Sequence, residues 1–268
     1  LRGREFLMKD LYSFHTTEKD LDDFYEMAKK AYGIIFERLG IGIETHITLS
    51  SGGDFSEYSH EFQTLSPSGE DTIYLSRKDG IAINKEIYTE KTRASLALLE
   101  SEMTEEKAIE VGNIFKLGTR FSEPLGLMYK DNNGESQPVI MGSYGIGPGR
   151  IMGTIAELFS DERGLVWPKA VAPFHIHLLR VGNTDTVREA ADILYKEIVR
   201  DGGDVLFDDR EDQSAGEKFA DSDLFGIPLR FVVSEKSLNA GGIEIKRRTE
   251  IETKIIPNTK WREAFPKL

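Results

Sequence analysis

Two arginines and a phenylalanine are the first residues in this chain whose types and spacing suggest chemistry. Arg2 and Phe6 stand four positions apart in the run Arg2-Gly3-Arg4-Glu5-Phe6-Leu7-Met8-Lys9. On a strand an even spacing puts both side chains on one face. A guanidinium that can meet phosphate would then share a surface with a ring that can stack on a base; a strand with a surface arginine and a core phenylalanine would read the same way. The second arginine, Arg150, closes the run Gly142-Ser143-Tyr144-Gly145-Ile146-Gly147-Pro148-Gly149-Arg150. Glycine at every second or third position lets a backbone come close to a ligand, and a helix opening there aims amide donors at an anion. A cation just inside a helix start opposes the macrodipole, so Arg150 is better used on a polyphosphate. The spacing is neither a P-loop nor a dinucleotide fingerprint. A tight glycine turn serving packing alone is the competing explanation.

The elements that must hold these residues can be read from periodicity. Residues 5–8 are short and apolar, as in a buried strand. Thr17 and Asp20 resemble a helix start, and Leu21, Phe24, Tyr25, Ala28, Ala31, Tyr32, Ile35, Phe36 and Leu39 recur at helical spacing up to the stop at Gly40. Short apolar runs between 41 and 88, broken by Ser50-Ser51-Gly52-Gly53 and Ser66-Pro67-Ser68-Gly69, predict strands and turns. Residues 89–108 read as a charged helix and 111–117 as a strand. A hairpin is expected at 127–141, where Asn133-Gly134 favours a primed turn. The glycine-rich stretch 142–149 reads as a turn leading into a helix through Phe159. This first part, 1–167, is therefore predicted to be α+β, an antiparallel sheet with flanking helices.

Two prolines, Pro168 and Pro173, mark 168–173 as an interdomain linker. Beyond it the pattern becomes strand 174–181, helix 184–200, strand 205–208, helix 215–225 and strand 229–233. Strands alternating with helices predict right-handed crossovers and a mostly parallel sheet over 174–268, five-stranded once the ribbon 243–245 and 253–256 is added. Phe207-Asp208-Asp209-Arg210 ends a strand and Ser214-x-x-Glu217 opens a helix in capping-box order. Such strand ends are where open parallel sheets meet ligands.

The formal charge of −12 argues against broad attraction to nucleic acid or an acidic membrane surface. Any RNA contact has to be a local basic patch. With no cysteine there is no disulfide and no thiolate metal site. The five histidines offer no helical ligand spacing, and the alternation of His175 and His177 is what any strand gives. No apolar run is long enough to span a bilayer, so a cytoplasmic location, with neither membrane nor DNA as partner, is expected. The chain begins at Leu1, within what reads as a strand, and is expected to be part of something longer.

Taken together, these segments resemble one family. Arg2-x-x-x-Phe6 is similar to the second half of motif 2 of class II aminoacyl-tRNA synthetases, and Gly142 to Arg150 to motif 3. Glu5-Phe6-Leu7-Met8-Lys9-Asp10-x-Tyr12-Ser13-Phe14 resembles the prolyl-tRNA synthetases in particular, as do Ser59-His60-Glu61-Phe62, the run Glu110 to Thr119, and Arg163-Gly164-x-Val166-Trp167-Pro168 through Ala172-Pro173-Phe174. The resemblance implies a class II catalytic core, partial at its start, followed by an anticodon-binding domain. It implies that proline and ATP, with Mg²⁺, form prolyl-adenylate, which the 3′ end of tRNA(Pro) attacks.

By motif position, Phe6 would stack on adenine, Arg2 would contact the terminal phosphates and Arg150 the γ-phosphate, with Thr119 nearby. Glu110 would touch magnesium or ribose, unless it is a solvent-facing strand residue. Glu61 would meet the proline ammonium, with Phe14, His60, Ser143 and Gly145 as walls, although Phe14 suits a core as well. Asp209, Arg210, Lys218 and Asp221 are the candidate anticodon contacts. Arg247 and Arg248 would meet phosphates or form a solvated pair. No protein zinc site is implied.

The chain departs from the family's pattern in several ways. Many bacterial members carry cysteine where Ser143 stands and histidine where Asn113 stands. Long-form relatives insert an editing domain between the positions of Asp79 and Glu110, where this chain has too few residues for one, so hydrolysis of mischarged alanyl-tRNA is not expected. Motif 1, which supplies the homodimer interface of the full-length enzymes, would lie before Leu1. The isolated chain is therefore expected to be weakly active or inactive. The alternative is a non-catalytic tRNA-binding or regulatory protein on the same scaffold.

Overall fold

The computed structural model describes residues 3–53, 55–56 and 58–264, so Arg2 lies outside the described residues. The chain divides into two compact units between Leu158 and Phe159. Its first unit is α+β. It contains strands β1 (Lys9–His15), β2 (Thr45–Ser51), β3 (Tyr58–Leu65), β4 (Asp71–Ser76), β5 (Ile81–Asn84), β6 (Met103–Gly118), β7 (Met128–Lys130), β8 (Ser136–Pro138) and β9 (Ile140–Ile146). Its helices are α1 (Glu18–Arg38), α2 (Glu90–Ser95) and α3 (Pro148–Phe159). Seven strands form one sheet in the order β1-β9-β6-β3-β2-β5-β4, antiparallel except for β2 with β5. Strand β4 also pairs with the first half of β6, so these strands close on themselves.

Helix α1 starts where predicted. The Thr17 side chain accepts from the Asp20 amide, occupying one of the donors a helix start leaves unpaired. Leu21, Tyr25, Ala28, Tyr32 and Phe36 are buried at spacings of three and four, a single stripe laid on one face of the sheet. There the Tyr32 and Phe36 rings meet Phe62 at 5.1 and 5.3 Å between centroids. Tyr25 and Phe24 approach Tyr144 at 6.2 and 5.4 Å.

Four local expectations are corrected. Residues 5–8 are not a strand; pairing begins at Lys9. The helix at 89–108 ends at Ser95, and 103–108 belong to β6, facing β4. Charge-rich residues that favour a helix are held extended by cross-strand partners, Tyr74 to Glu105 at 2.9 Å and Arg77 to Glu106 at 2.9 Å. The stretch 142–146 is strand β9, flanked on both sides. At 131–135 only Gly134 has a positive φ among the described residues, and the Asp131 carboxylate caps the amides of Asn133 and Glu135 at 2.9 Å each. The turn is thus stabilised by a side chain in place of the primed geometry.

The second unit has strands β10 (Ile176–Val181), β11 (Val205–Asp208), β12 (Leu229–Ser234), β13 (Ile243–Arg247) and β14 (Lys254–Ile256), ordered β11-β10-β12-β13-β14. Strands β11, β10 and β12 are parallel, and β13 and β14 return antiparallel. Helices α4 (Asp185–Arg200), α5 (Ala215–Phe225), α6 (Glu235–Asn239) and α7 (Trp261–Ala264) complete it. Val187, Ala191, Leu194 and Ile198 of α4 bury against Leu178, Phe231, Val233 and Ile243. No helix among the described residues is long and apolar enough to cross a membrane.

Residues 161–167, ahead of the prolines expected to mark the linker, are hydrogen-bonded into this unit. Leu165 and Trp167 donate to the carbonyls of Leu224 and Gly226, and Arg248 clasps Asp161 through two bonds of 2.8 and 2.6 Å. The approach needs Gly226, which ends α5 at φ 70°, because a β-carbon there would overlap the Leu165 carbonyl. Gly226→Ala combines a left-handed backbone with overpacking, which typically costs ~1–3 kcal/mol. It should shift the second unit's denaturant midpoint downward while leaving the first unit's transition in place, as monitored by domain-resolved hydrogen exchange.

Candidate active site

On the face of the first sheet away from α1, a cavity of about 480 Å³ opens over β1, β9 and β6. Register explains its lining. Asp10 and Tyr12 of β1 pair with Gly145 and Ser143 of β9, which pair in turn with Asn113 and Phe115 of β6. Alternation sends all six toward the cavity. Glu110 joins them through a bulge: Phe62 faces Gly112 and Gln63 faces Glu110, leaving Val111 unpaired. An extra residue flips the alternation, so Glu110 and Asn113, three apart, share a face and bond at 3.2 Å. Along the strands the lining runs from polar (Asp10, Glu110, Asn113, Arg150) to apolar (Phe115, Leu117, Met141, with Phe55 and Phe121 alongside). Phe6 and Met8 border the cavity as well.

Arg150, in the first turn of α3, reaches back to β6. Its Nη1 donates to the Glu110 carbonyl at 2.8 Å and to the Glu110 carboxylate at 3.1 Å. Its buried Nε donor and the Asn113 Oδ1 acceptor have no partner. Buried polar atoms without partners are rare in folded proteins, and a guanidinium that lines a cavity suits an anionic group. Tyr12 is hydrogen-bonded to Asp10, which together with burial pushes its phenol up.

Of the residues singled out in the sequence, Phe6, Glu110, Ser143, Gly145 and Arg150 meet in this cavity. Thr119 follows β6, where its carbonyl accepts from Ser122, and does not line it. Phe14 is exposed on the same side of β1 as Asp10 and Tyr12 but is absent from the lining. His60 points to the opposite face, Nδ1 2.8 Å from the Tyr25 hydroxyl, and burial with the Lys29 charge pushes it down to about 4. A wall role for His60 is thereby corrected; its ring lies beneath α1 against Tyr25.

Glu61 lies under the cavity. Its carboxylate accepts from Ser50 at 2.9 Å, Gln63 at 2.9 Å, Asn84 at 3.1 Å and Asn113 at 3.5 Å. Burial and the nearby Glu110 charge push it upward, against those donors. It ties β2, β3, β5 and β6 together and is not presented to a ligand cation. Asp10 and Tyr12 were missed as site residues. The signal was available: they alternate with Met8 and, once the strand is set to begin at Lys9, face the same side as Ser143. Among the described residues no group of three or more His, Cys, Asp or Glu side chains is placed to hold a metal ion.

In the second unit, the expected anticodon residues gather at the end of β11, largely paired with one another. Arg210 grips Asp208 at 2.9 and 2.7 Å and Asp221 at 2.7 Å. Lys218 is buried, and its ammonium donates to the carbonyls of Arg180, Asp208 and Arg210 at 2.7, 3.3 and 2.5 Å. Lys218 therefore holds the loop in shape and does not offer its charge to a ligand. Arg248 is likewise buried on Asp161 and is not a surface phosphate contact. Arg247 is exposed, 3.5 Å from Glu250, and Asp209 is exposed.

An antiparallel sheet whose cavity ends on an arginine at a helix start, followed by an α/β domain, defines a class II aminoacyl-tRNA synthetase core with an anticodon-binding domain. Residues 1–159 match the tRNA synthetase class II core domain family (G, H, P, S and T), and residues 170–267 match the anticodon binding domain family. The proline–tRNA ligase of Agrobacterium fabrum is 36% identical over 274 residues, covering 92% of this chain and 62% of the relative. That of Bacillus cereus is 30% identical over 403 residues, covering 94% and 71%. Two structures of prolyl-tRNA synthetase from Cryptosporidium parvum, one complexed with halofuginone and AMPPNP and one with L-proline and AMP, share the fold. Each has a TM-score of 0.74 at 19% identity, covering 99% of this chain and 48% of its own. This chain belongs to the prolyl-tRNA synthetase family. It is the short form: only residues 85–102 connect β5 to β6, with no inserted domain between them.

The Asp208 cluster gives a pH test. Burial would raise the Asp208 carboxyl, but the Arg210 hydrogen bonds and the Lys218 charge outweigh it and hold it at about 2. A depressed carboxyl stabilises the fold above its unfolded pKa, near 4, and that contribution is lost as pH falls toward 2, on the order of 2 kcal/mol in all. Asp208→Asn should lower the second unit's stability at pH 7 and flatten its decline between pH 4 and 2, measured by urea unfolding across that range.

Proposed function

We propose that this chain carries the catalytic and anticodon-reading parts of a proline–tRNA ligase: ATP-dependent activation of proline, then transfer to the 3′ end of tRNA(Pro). The observation that carries the reading is the cavity's polarity. At one end stand an exposed ring, Phe6, and a guanidinium, Arg150; at the other stands an apolar wall built on Phe115, Leu117 and Phe121. A nucleotide needs the first and an apolar five-membered ring the second. Asp10 and Tyr12, between them, supply an anion and a hydroxyl for a secondary ammonium. This reassigns the ammonium from Glu61, whose carboxylate is spent on four donors, to Asp10. The Cryptosporidium relative crystallised with L-proline and AMP supports the same pairing of ligands.

The reaction needs no covalent nucleophile from the protein. The proline carboxylate displaces pyrophosphate from ATP, and the terminal tRNA hydroxyl then displaces AMP. What the chain supplies is position and charge. Arg150, anchored by Glu110, is held ready for phosphate oxygens, and the unpartnered Asn113 carbonyl can accept from a ribose or ammonium donor. Magnesium would enter with the ATP phosphates, which need few protein carboxylates; Glu110, already turned toward Arg150 and Asn113, would reach it only by giving up one of those contacts. In the second unit we propose that Asp209, Arg210, Asp221 and Arg247 read splayed anticodon nucleotides, with Lys218 shaping the loop beneath them.

Proline-dependent ATP–pyrophosphate exchange tests the reading. Arg150→Ala should lower kcat/KM about a hundredfold or more. Asp10→Asn should raise KM for proline about tenfold or more with a smaller change in KM for ATP, as expected for loss of a charge-assisted contact. Binding of tRNA(Pro) without binding of proline or ATP would favour the non-catalytic alternative.

A further inference from the structure

Behind the cavity, on the face that α1 covers, four side chains form one hydrogen-bonded chain. Asp20 Oδ2 lies 2.7 Å from His15 Nδ1, His15 Nε2 lies 2.7 Å from Ser13 Oγ, and Ser13 Oγ lies 3.0 Å from the Tyr144 hydroxyl. Ser13, His15 and Tyr144 are buried, while Asp20 reaches solvent. With the His15 proton on Nδ1 every link is satisfied: Nδ1 donates to Asp20, Nε2 accepts from the Ser13 hydroxyl, and the Ser13 oxygen accepts from Tyr144. A carboxylate selecting the histidine tautomer is the logic of a Ser–His–Asp triad. Here, however, the serine oxygen is enclosed by Tyr144, Gly142 and α1, so it is no nucleophile.

The chain's position gives it another use. Tyr144 sits between Ser143 and Gly145, and Ser13 follows Tyr12; their neighbours face the cavity from the same two strands. Fixing Ser13 to Tyr144 therefore fixes the strand pair whose other face pairs Tyr12 with Ser143 and Asp10 with Gly145. The room is supplied by Gly142, where a β-carbon would overlap both the Tyr144 hydroxyl and Ser13 Oγ. Lys9 adds a brace, donating to the Tyr32 hydroxyl at 2.7 Å and the Tyr144 carbonyl at 3.0 Å.

We propose that Asp20, His15, Ser13 and Tyr144 form a positioning relay that holds Tyr12 and Ser143 at the depth required for the bound amino acid. The relay's role in substrate binding rests on the reading of the cavity above; its role in holding β1 to β9 does not. The two amides that mimic one histidine nitrogen each separate the relay from simple space filling. His15→Gln can reproduce the Nε2 link to Ser13, and His15→Asn only the Nδ1 link to Asp20.

In ligand-free protein, amide hydrogen exchange at Ser143 and Gly145 should accelerate about tenfold in Tyr144→Phe, as expected for loss of one buried hydrogen bond. His15→Asn should behave like Tyr144→Phe, and His15→Gln should stay closer to the unaltered protein. KM for proline should follow the same order while kcat changes less. Equal behaviour of the two amides, or lowered melting temperature with unchanged exchange at Ser143 and Gly145, would overturn the relay. If the His15 variants fail to fold, Tyr144→Phe, which removes one oxygen and keeps the ring, decides the matter. Unaltered protein that binds neither proline nor ATP would defeat the functional reading alone, since hydrogen exchange still tests the relay.

Discussion

Strand β6 hydrogen bonds to β4 along its first half and to β3 and β9 along its second, and almost everything in the first unit takes its place from that ladder. Sixteen residues of one strand serve three partners, and a bulge at Val111 resets the alternation partway along it. It lets Ile109 remain in the core while Glu110 turns out to hold Arg150, and it brings Asn113 onto the same face. The start of α3 is thereby tied to the middle of the sheet through the Glu110 carbonyl and carboxylate together. An arginine near a helix N-terminus is unfavourable in isolation; the two acceptors of Glu110 offset that cost.

The second unit solves a comparable problem with a buried cation. Asp208 ends β11 and Arg210 lies in the loop beyond it, and backbone acceptors buried there without donors would be costly. Lys218, from the first turns of α5, donates to both and to Arg180 across the sheet. An ammonium buried this deeply is tolerable only with such satisfaction and a nearby carboxylate, which Asp208 supplies at 3.5 Å. Arg210 then covers Asp208 from outside and reaches Asp221. The loop's shape is set before any partner arrives, which is what recognition by a few exposed groups requires.

Much of this was legible in the sequence wherever one period governed a segment. The stripe from Leu21 to Phe36 serves one core, so helix and burial follow from spacing; the Ser214 capping box marks the start of α5 in the same way. Spacing was misleading where a residue answers to something distant. Residues 103–108 carry helix-forming charges but are extended because β4 lies beside them. Glu110 and Asn113 share a face only because of a bulge that no local pattern announces. Lys218 and Arg248 look like surface cations, and their burial depends on carbonyls and a carboxylate brought from other elements. The glycines at 142 and 145 suggested a turn, whereas Gly142 serves a strand that must clear two hydroxyls.

The pairing of cations bears on how an acidic chain could hold RNA. With a formal charge of −12, long-range attraction to a phosphate backbone is absent, and the second unit's arginines are mostly engaged: Arg180 and Arg188 with Glu211, Arg230 with Asp223, Arg248 with Asp161, Arg262 with Asp201. The exposed Lys196, Lys236 and Lys254 remain to meet phosphate, so the salt dependence of the proposed tRNA contact would come from a few local charges. Discrimination then has to come from hydrogen bonds to unstacked bases at fixed positions. The rigid Asp208–Arg210–Lys218 loop suits that task, because its side chains are held in place by one another and need no ordering on binding.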